Sequence, residues 1–99
     1  MAAYMIIIAK IHDRERMLTE YSAPTAELIK TFGGRYLVRS PMVTALEGSL
    51  GEGVSVVVSE WPDRAAIDAF WNSPEYAPLK AGRQPFADCE IMIVESPSG

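Results

Sequence analysis

The sequence holds one cysteine and one histidine in 99 residues. A single cysteine, Cys89, cannot close an intramolecular disulfide. One histidine and one distant cysteine cannot build a structural zinc site, so no metal is expected. Cys89 stands between Asp88 and Glu90. Flanking acids oppose a thiolate, so Cys89 reads as a small core hydrophobe. Basic charge is also sparse. Nine Lys and Arg are scattered without a run among 13 Asp and Glu, for a net charge of −4. The basic patch that would bind nucleic acid or an anionic membrane is missing. No apolar run is long enough to span a bilayer. "MAAYMIIIAK" has no basic residue ahead of its apolar stretch and meets charge at Lys10, unlike a signal peptide. A cytoplasmic protein is expected. There is no repeat, no low-complexity tract, no G-x-S-x-G and no phosphate loop. "GG" at 33–34 and "GEG" at 51–53 read as turns.

What is present describes a globular chain: 48% hydrophobic and 22% charged. One domain over residues 1–99 is expected, with "SPSG" at 96–99 as a fraying tail. A domain this small buries only about 60–65% of its unfolded surface, so further burial through association would help.

The pattern predicts elements in the order β-α-β-β-β-α-β. Residues 4–11 form a strand with Tyr4, Ile6 and Ile8 on one face and Met5, Ile7, Ala9 and Ile11 on the other. Asp13 is placed to cap a helix with Leu18, Tyr21, Thr25, Leu28 and Phe32 at helical spacing and Met17 and Ile29 beside them. Pro24 should kink or split it near Ser22. "RYLVRS" (35–40) and "VTALEG" (43–48) read as a hairpin, or one bent arm. "GVSVVVSEW" (53–61) sets Val54, Val56, Val58 and Glu60 against Ser55, Val57, Ser59 and Trp61. Asp63 caps a helix bearing Ala66, Ile67, Phe70 and Trp71. In "NSPEY", Ser73, Pro74 and Glu75 start another helix at an angle to it. "CEIMIVE" (89–95) closes the sheet.

This is an α+β, ferredoxin-like split βαβ arrangement: an antiparallel sheet with two main helices on one face. The first, valine and last strands are apolar on both faces, and two helices cover only one. The expected cover for the other is a second copy, giving a homodimer packed sheet to sheet.

"FGGRYLVRS", the "LEG" at 46–48, and "SEWPDRAAIDAFWNSPEY" followed by Arg83 resemble the family known as domain of unknown function 1330 (DUF1330). The resemblance runs from Tyr4 to Val94. It implies a dimeric α+β barrel, a fold shared with antibiotic-biosynthesis monooxygenases and muconolactone isomerases. It implies no established activity and supplies no catalytic residue. The family often closes on a glycine after its last strand, whereas here "ESPSG" continues.

Candidate site residues therefore come from their chemistry. Glu60 ends the valine strand on an aliphatic face, where a carboxylate must be paired, hydrated or shifted in pKa; it is one candidate base. His12, at the end of the first strand beside Asp13, is the other. Tyr21 and Tyr76 are candidate orienting donors. Arg83 is a candidate anion holder. Trp71 comes near Tyr76 and Arg83 at the break between helices. Arg35 and Arg39, expected on one strand face with Leu37 between them, either pair with Glu47 or bind a ligand carboxylate. Together Tyr21, Glu60, Tyr76 and Arg83 would line a cleft for a small, partly apolar acid or enol. The readings are a cofactor-free enzyme of isomerase or monooxygenase type, a non-catalytic ligand-binding module, or a structural dimer.

Overall fold

The computed structural model describes residues 2–50 and 53–97. Strand β1 (Ala3–Ile11) leads into α1 (Arg14–Met17), a π-helical turn (Leu18–Ser22) and α2 (Ala23–Thr31). Strands β2 (Arg35–Ser40) and β3 (Ser55–Trp61) follow. Helices α3 (Arg64–Trp71) and α4 (Tyr76–Arg83) precede β4 (Ala87–Glu95). The strands form one antiparallel sheet in the order β2-β3-β1-β4, the ferredoxin-like arrangement. The expected strand at 43–48 is absent. The Ser40 hydroxyl accepts from the Met42 amide at 3.0 Å and turns the chain out of β2 at Pro41, which has no amide proton to donate.

Local chemistry sets the helix ends. Asp13 Oδ1 accepts from the Arg16 amide at 3.1 Å, and Asp63 Oδ1 from the Ala66 amide at 2.9 Å. Ser73 is buried between α3 and α4. Its hydroxyl donates to the Phe70 carbonyl at 2.8 Å and accepts from the Tyr76 amide at 3.2 Å. The second helix thus starts at Tyr76 rather than at Pro74, with Ser73 still serving as its cap. The "GG" stop also forms: Gly33 has φ +95°, and the Gly34 amide reaches the Ile29 carbonyl at 2.9 Å.

Pro24 does not split the first helix. The turn ahead of it widens instead, and the Ala23 amide bonds to the Leu18 carbonyl, five residues back. A wider turn relieves the clash between the proline ring and the carbonyl four residues earlier. It also resets the phase of the helix. The buried row is Met17, Tyr21, Thr25 and Ile29, four residues apart, while Leu18, expected inside, is 63% exposed.

All the helices lie on one sheet face. The core joins Met5 and Ala3 of β1 to Trp61, Ile67, Phe70, Tyr76 and Phe86. The inward face of β3 is Ser55, Val57, Ser59 and Trp61, whereas Val56, Val58 and Glu60 point away from the helices. The outward face also carries Val38, Met92 and Val94, which are 46%, 40% and 44% exposed. The chain measures 33 × 32 × 16 Å, a thickness suited to one sheet and one helical layer.

The expected tail is described only to residue 97, and residues 98 and 99 lie outside the described residues. The Ser96 amide still reaches the Ala2 carbonyl at 3.2 Å. Of "GEG" at 51–53, residues 51 and 52 lie outside the described residues, and Gly53 has the turn-like φ of +68°.

Candidate functional site

Sheet register creates a hollow. Across three adjacent strands, Ser55, Ala9 and Cys89 stand side by side and face the helices. The next inward row is Val57, Ile7 and Ile91. Three small side chains in one row leave space that helix packing does not close. Above them lie Met17, Tyr21, Ser22, Thr25 and Ile29, carried by the π turn and its flanking helices. A cavity of about 270 Å³ results, also lined by Tyr36, Arg39, Ser40 and Pro41 from the end of β2 and by Arg14 and Leu18; Arg14, Leu18, Arg39 and Pro41 are its exposed lining residues.

The walls are mostly apolar, but two hydroxyls deep in the cavity stand out. Thr25 Oγ1 and Ser55 Oγ are buried, with Thr25 2% and Ser55 7% exposed, and find no hydrogen-bond partner among the described residues. An unpaired buried hydroxyl costs about 1–3 kcal/mol. A bound molecule bringing polar atoms to this depth would offset that cost.

Tyr21 forms the wall between the cavity and a buried polar cluster. Its hydroxyl shares a 2.7 Å hydrogen bond with that of Tyr76. The Arg83 guanidinium lies 5.5 Å from the Tyr21 ring centroid. Burial, reinforced by Tyr76, pushes the Tyr21 phenol far above its ordinary range. Tyr21 therefore stays protonated and is not a base. Burial also raises the Cys89 thiol, against the opposing pull of Arg83, so Cys89 stays uncharged on the cavity floor.

The expected cleft of Tyr21, Glu60, Tyr76 and Arg83 does not form as one site. Glu60 lies on the far side of the sheet. Arg35 Nε donates to its Oε1 at 2.8 Å and the Tyr4 hydroxyl to its Oε2 at 3.2 Å. Arg35 holds the Glu60 carboxyl below its ordinary range. The cause of the misplacement is that the valine face, not the serine and tryptophan face, points away from the helices. Tyr76 and Arg83 do join Tyr21 but sit behind it rather than on the cavity surface. Trp71 is also outside the cavity; it packs on Tyr76 at 5.5 Å and under Lys80 at 4.1 Å. His12 pairs with Asp88 at 2.9 Å on the exposed end of the sheet.

Arg35 and Arg39 do not share a face. A register shift between Tyr36 and Val38 places Arg35 opposite Glu60 on the outer side and Arg39 opposite Val57 on the inner side. Neither pairs with Glu47. Arg39 instead lines the cavity, with its guanidinium 4.4 Å from the Tyr36 ring centroid. The residues that sequence reasoning missed are Thr25 and Ser55 as site groups, and Arg14. The small-residue row was the available signal, but it appears only once the strands are paired. Among the described residues no three His, Cys, Asp or Glu are grouped so as to hold a metal ion. No helix among them is long and apolar enough to cross a membrane.

Comparison with known proteins gives the fold a wider setting. No curated protein matches the chain in sequence. Among solved structures, the RPA0582 protein of unknown function from Rhodopseudomonas palustris aligns at a TM-score of 0.80 and 16% identity. That alignment covers 96% of this chain and 82% of the other. A variant of SnoaB, a cofactor-independent oxygenase from Streptomyces nogalater, aligns at 0.69 and 12% identity over 97% and 93%. An ethyl tert-butyl ether D family protein from Bacillus halodurans aligns at 0.67 and 18% identity over 97% and 99%. These likenesses establish the ferredoxin-like fold of the dimeric α+β barrel proteins. The family model for DUF1330, a domain of unknown function, matches residues 2–97, and the chain belongs to that family.

Proposed function

We propose that the chain binds a small, partly apolar organic acid or enol in the cavity beneath the π turn, with one cavity in each copy of a homodimer. The observation that carries this reading is the pair of orphaned hydroxyls, Thr25 and Ser55, buried in an otherwise apolar hollow. Core packing normally leaves neither such a void nor such unpaired groups. The volume, about 270 Å³, lies just below the usual range of ligand pockets and suits a small molecule. Supporting the homodimer are the exposed aliphatic outer face of the sheet and the segment beyond β2, where Met42, Leu46 and Leu50 are 86%, 100% and 63% exposed.

Cofactor-free catalysis of isomerase or monooxygenase type is the second reading. The shared fold with SnoaB, a cofactor-independent oxygenase, favours it by analogy alone. In this chain it would rest on Tyr21, the one expected catalytic residue that lines the cavity. As a protonated phenol backed by Tyr76, Tyr21 would orient a substrate oxygen through a hydrogen bond. Glu60 and His12 would contribute nothing to a step in this cavity of one chain, because neither lines it. The binding reading is therefore preferred.

Native mass spectrometry of freshly purified protein tests it. The expected result is a dimer carrying a small molecule that is released by denaturation and lost from the Ser55→Leu variant, whose side chain fills the hollow. An empty wild-type protein that also takes up no apolar probe, such as octan-1-ol, would overturn it.

A further inference from the structure

The chain has six arginines. Three meet carboxylates: Arg16 with Glu20, Arg35 with Glu60, and Arg64 with Asp68 and Glu95. Among the described residues the other three have no carboxylate within ion-pair distance, and all three gather at one place. Arg14 and Arg39 both line the cavity with exposed side chains, and Arg83 lies behind the Tyr21 wall. The chain carries 13 acids against nine basic residues, so unpaired cations are not forced by a shortage of partners.

Neither mouth arginine is explained by the element that carries it. Arg14 is the first residue of α1, where the helix dipole favours an acid. Arg39 is turned inward by the β2 bulge and stacked on Tyr36, which limits its rotamers before any ligand arrives. Behind the two guanidinium groups the lining becomes aliphatic, with Met17, Ile7, Val57 and Ile29. Cation at the entrance and hydrocarbon behind it match one ligand chemistry.

We propose that Arg14 and Arg39 form an anion-binding mouth, and that the cavity takes a monocarboxylate with its charged head between them and its apolar body inward. This rests on the cavity being a ligand site, as proposed above. The carboxylate suits the planar guanidinium groups, and its head stays near water, which avoids the cost of burying a charge. The inner hydroxyls of Thr25 and Ser55 are then free to meet a second polar atom at the far end of the ligand.

Calorimetric titration of the full chain with octanoate and with octan-1-ol separates the two ideas. Octanoate is expected to bind more tightly than the alcohol, and more weakly as salt is raised. Arg14→Gln and Arg39→Gln should each weaken octanoate by about two- to fivefold, and the double variant by about tenfold, as expected for exposed ion pairs. The affinity for octan-1-ol should fall by less than that for octanoate in each variant. Equal binding of acid and alcohol, or octanoate binding that ignores both substitutions, overturns the anion mouth and leaves the cavity reading standing. Failure of both probes to bind overturns both.

Discussion

Gly34 shows how tightly one residue can be fixed. A Cβ added there would meet Ile29 Cγ2 and Trp61 Cε2, both at 2.7 Å. Gly34→Ala should destabilise the chain by about 1–3 kcal/mol, measured by urea unfolding. Tyr21 makes a prediction about alkali. Because its pKa is raised on folding, the unfolded chain gives up this proton near pH 10 while the folded chain keeps it. Its contribution is complete below about pH 10 and is lost as pH rises further. Tyr21→Phe should therefore lose less stability between pH 10 and 11 than the wild type does, as followed by circular dichroism. Glu60 behaves oppositely. Arg35 lowers its pKa, so its contribution is present above its ordinary value of 4.5 and fades as pH falls through the lower folded value. Glu60→Gln should flatten that acid limb in a pH series of unfolding curves and leave ligand binding untouched. Sequence alone put Glu60 correctly beside the valines. It could not say which face of β3 met the helices, because both faces are apolar enough to be buried. Trp61 and the small Ser55 and Ser59 decided it by fitting beneath the helices.

At the scale of elements, capping chemistry was readable and phase was not. Asp13, Asp63 and Ser73 cap as their residue types suggest. Ser73→Ala removes one buried hydroxyl that serves both helices, and should lower stability by about 0.5–2 kcal/mol in chemical denaturation. Pro24 marked the first helix as irregular, but a π turn and a split are equally good answers to a missing donor at the level of sequence. The π turn, once formed, moves Leu18 outward and aligns Met17, Tyr21, Thr25 and Ile29 over the sheet. The same holds for β2. Its spacing places Arg35 and Arg39 on one face, and a single bulge reverses that. The candidate site depends on both irregularities, since one carries its roof and the other turns Arg39 into its mouth.

For the whole molecule, the order of elements led to the antiparallel sheet with all helices on one side, and the doubly apolar strands were the strongest signal for what covers the other. It also motivates the proposed homodimer. Sedimentation equilibrium at micromolar concentration should give twice the chain mass, and a Val58→Lys substitution on the outer face should shift it toward monomer. The cavity was not legible in the chain, because it arises from three small residues far apart in sequence that register brings into one row. The most direct test of the functional account is a titration of the protein with octanoate, followed in backbone amide NMR spectra. Shifts concentrated at Ala9, Tyr21, Thr25, Ser55 and Cys89 are predicted. Saturable shifts confined to the outer sheet face around Val56 and Val58, with those five residues unmoved, would contradict it.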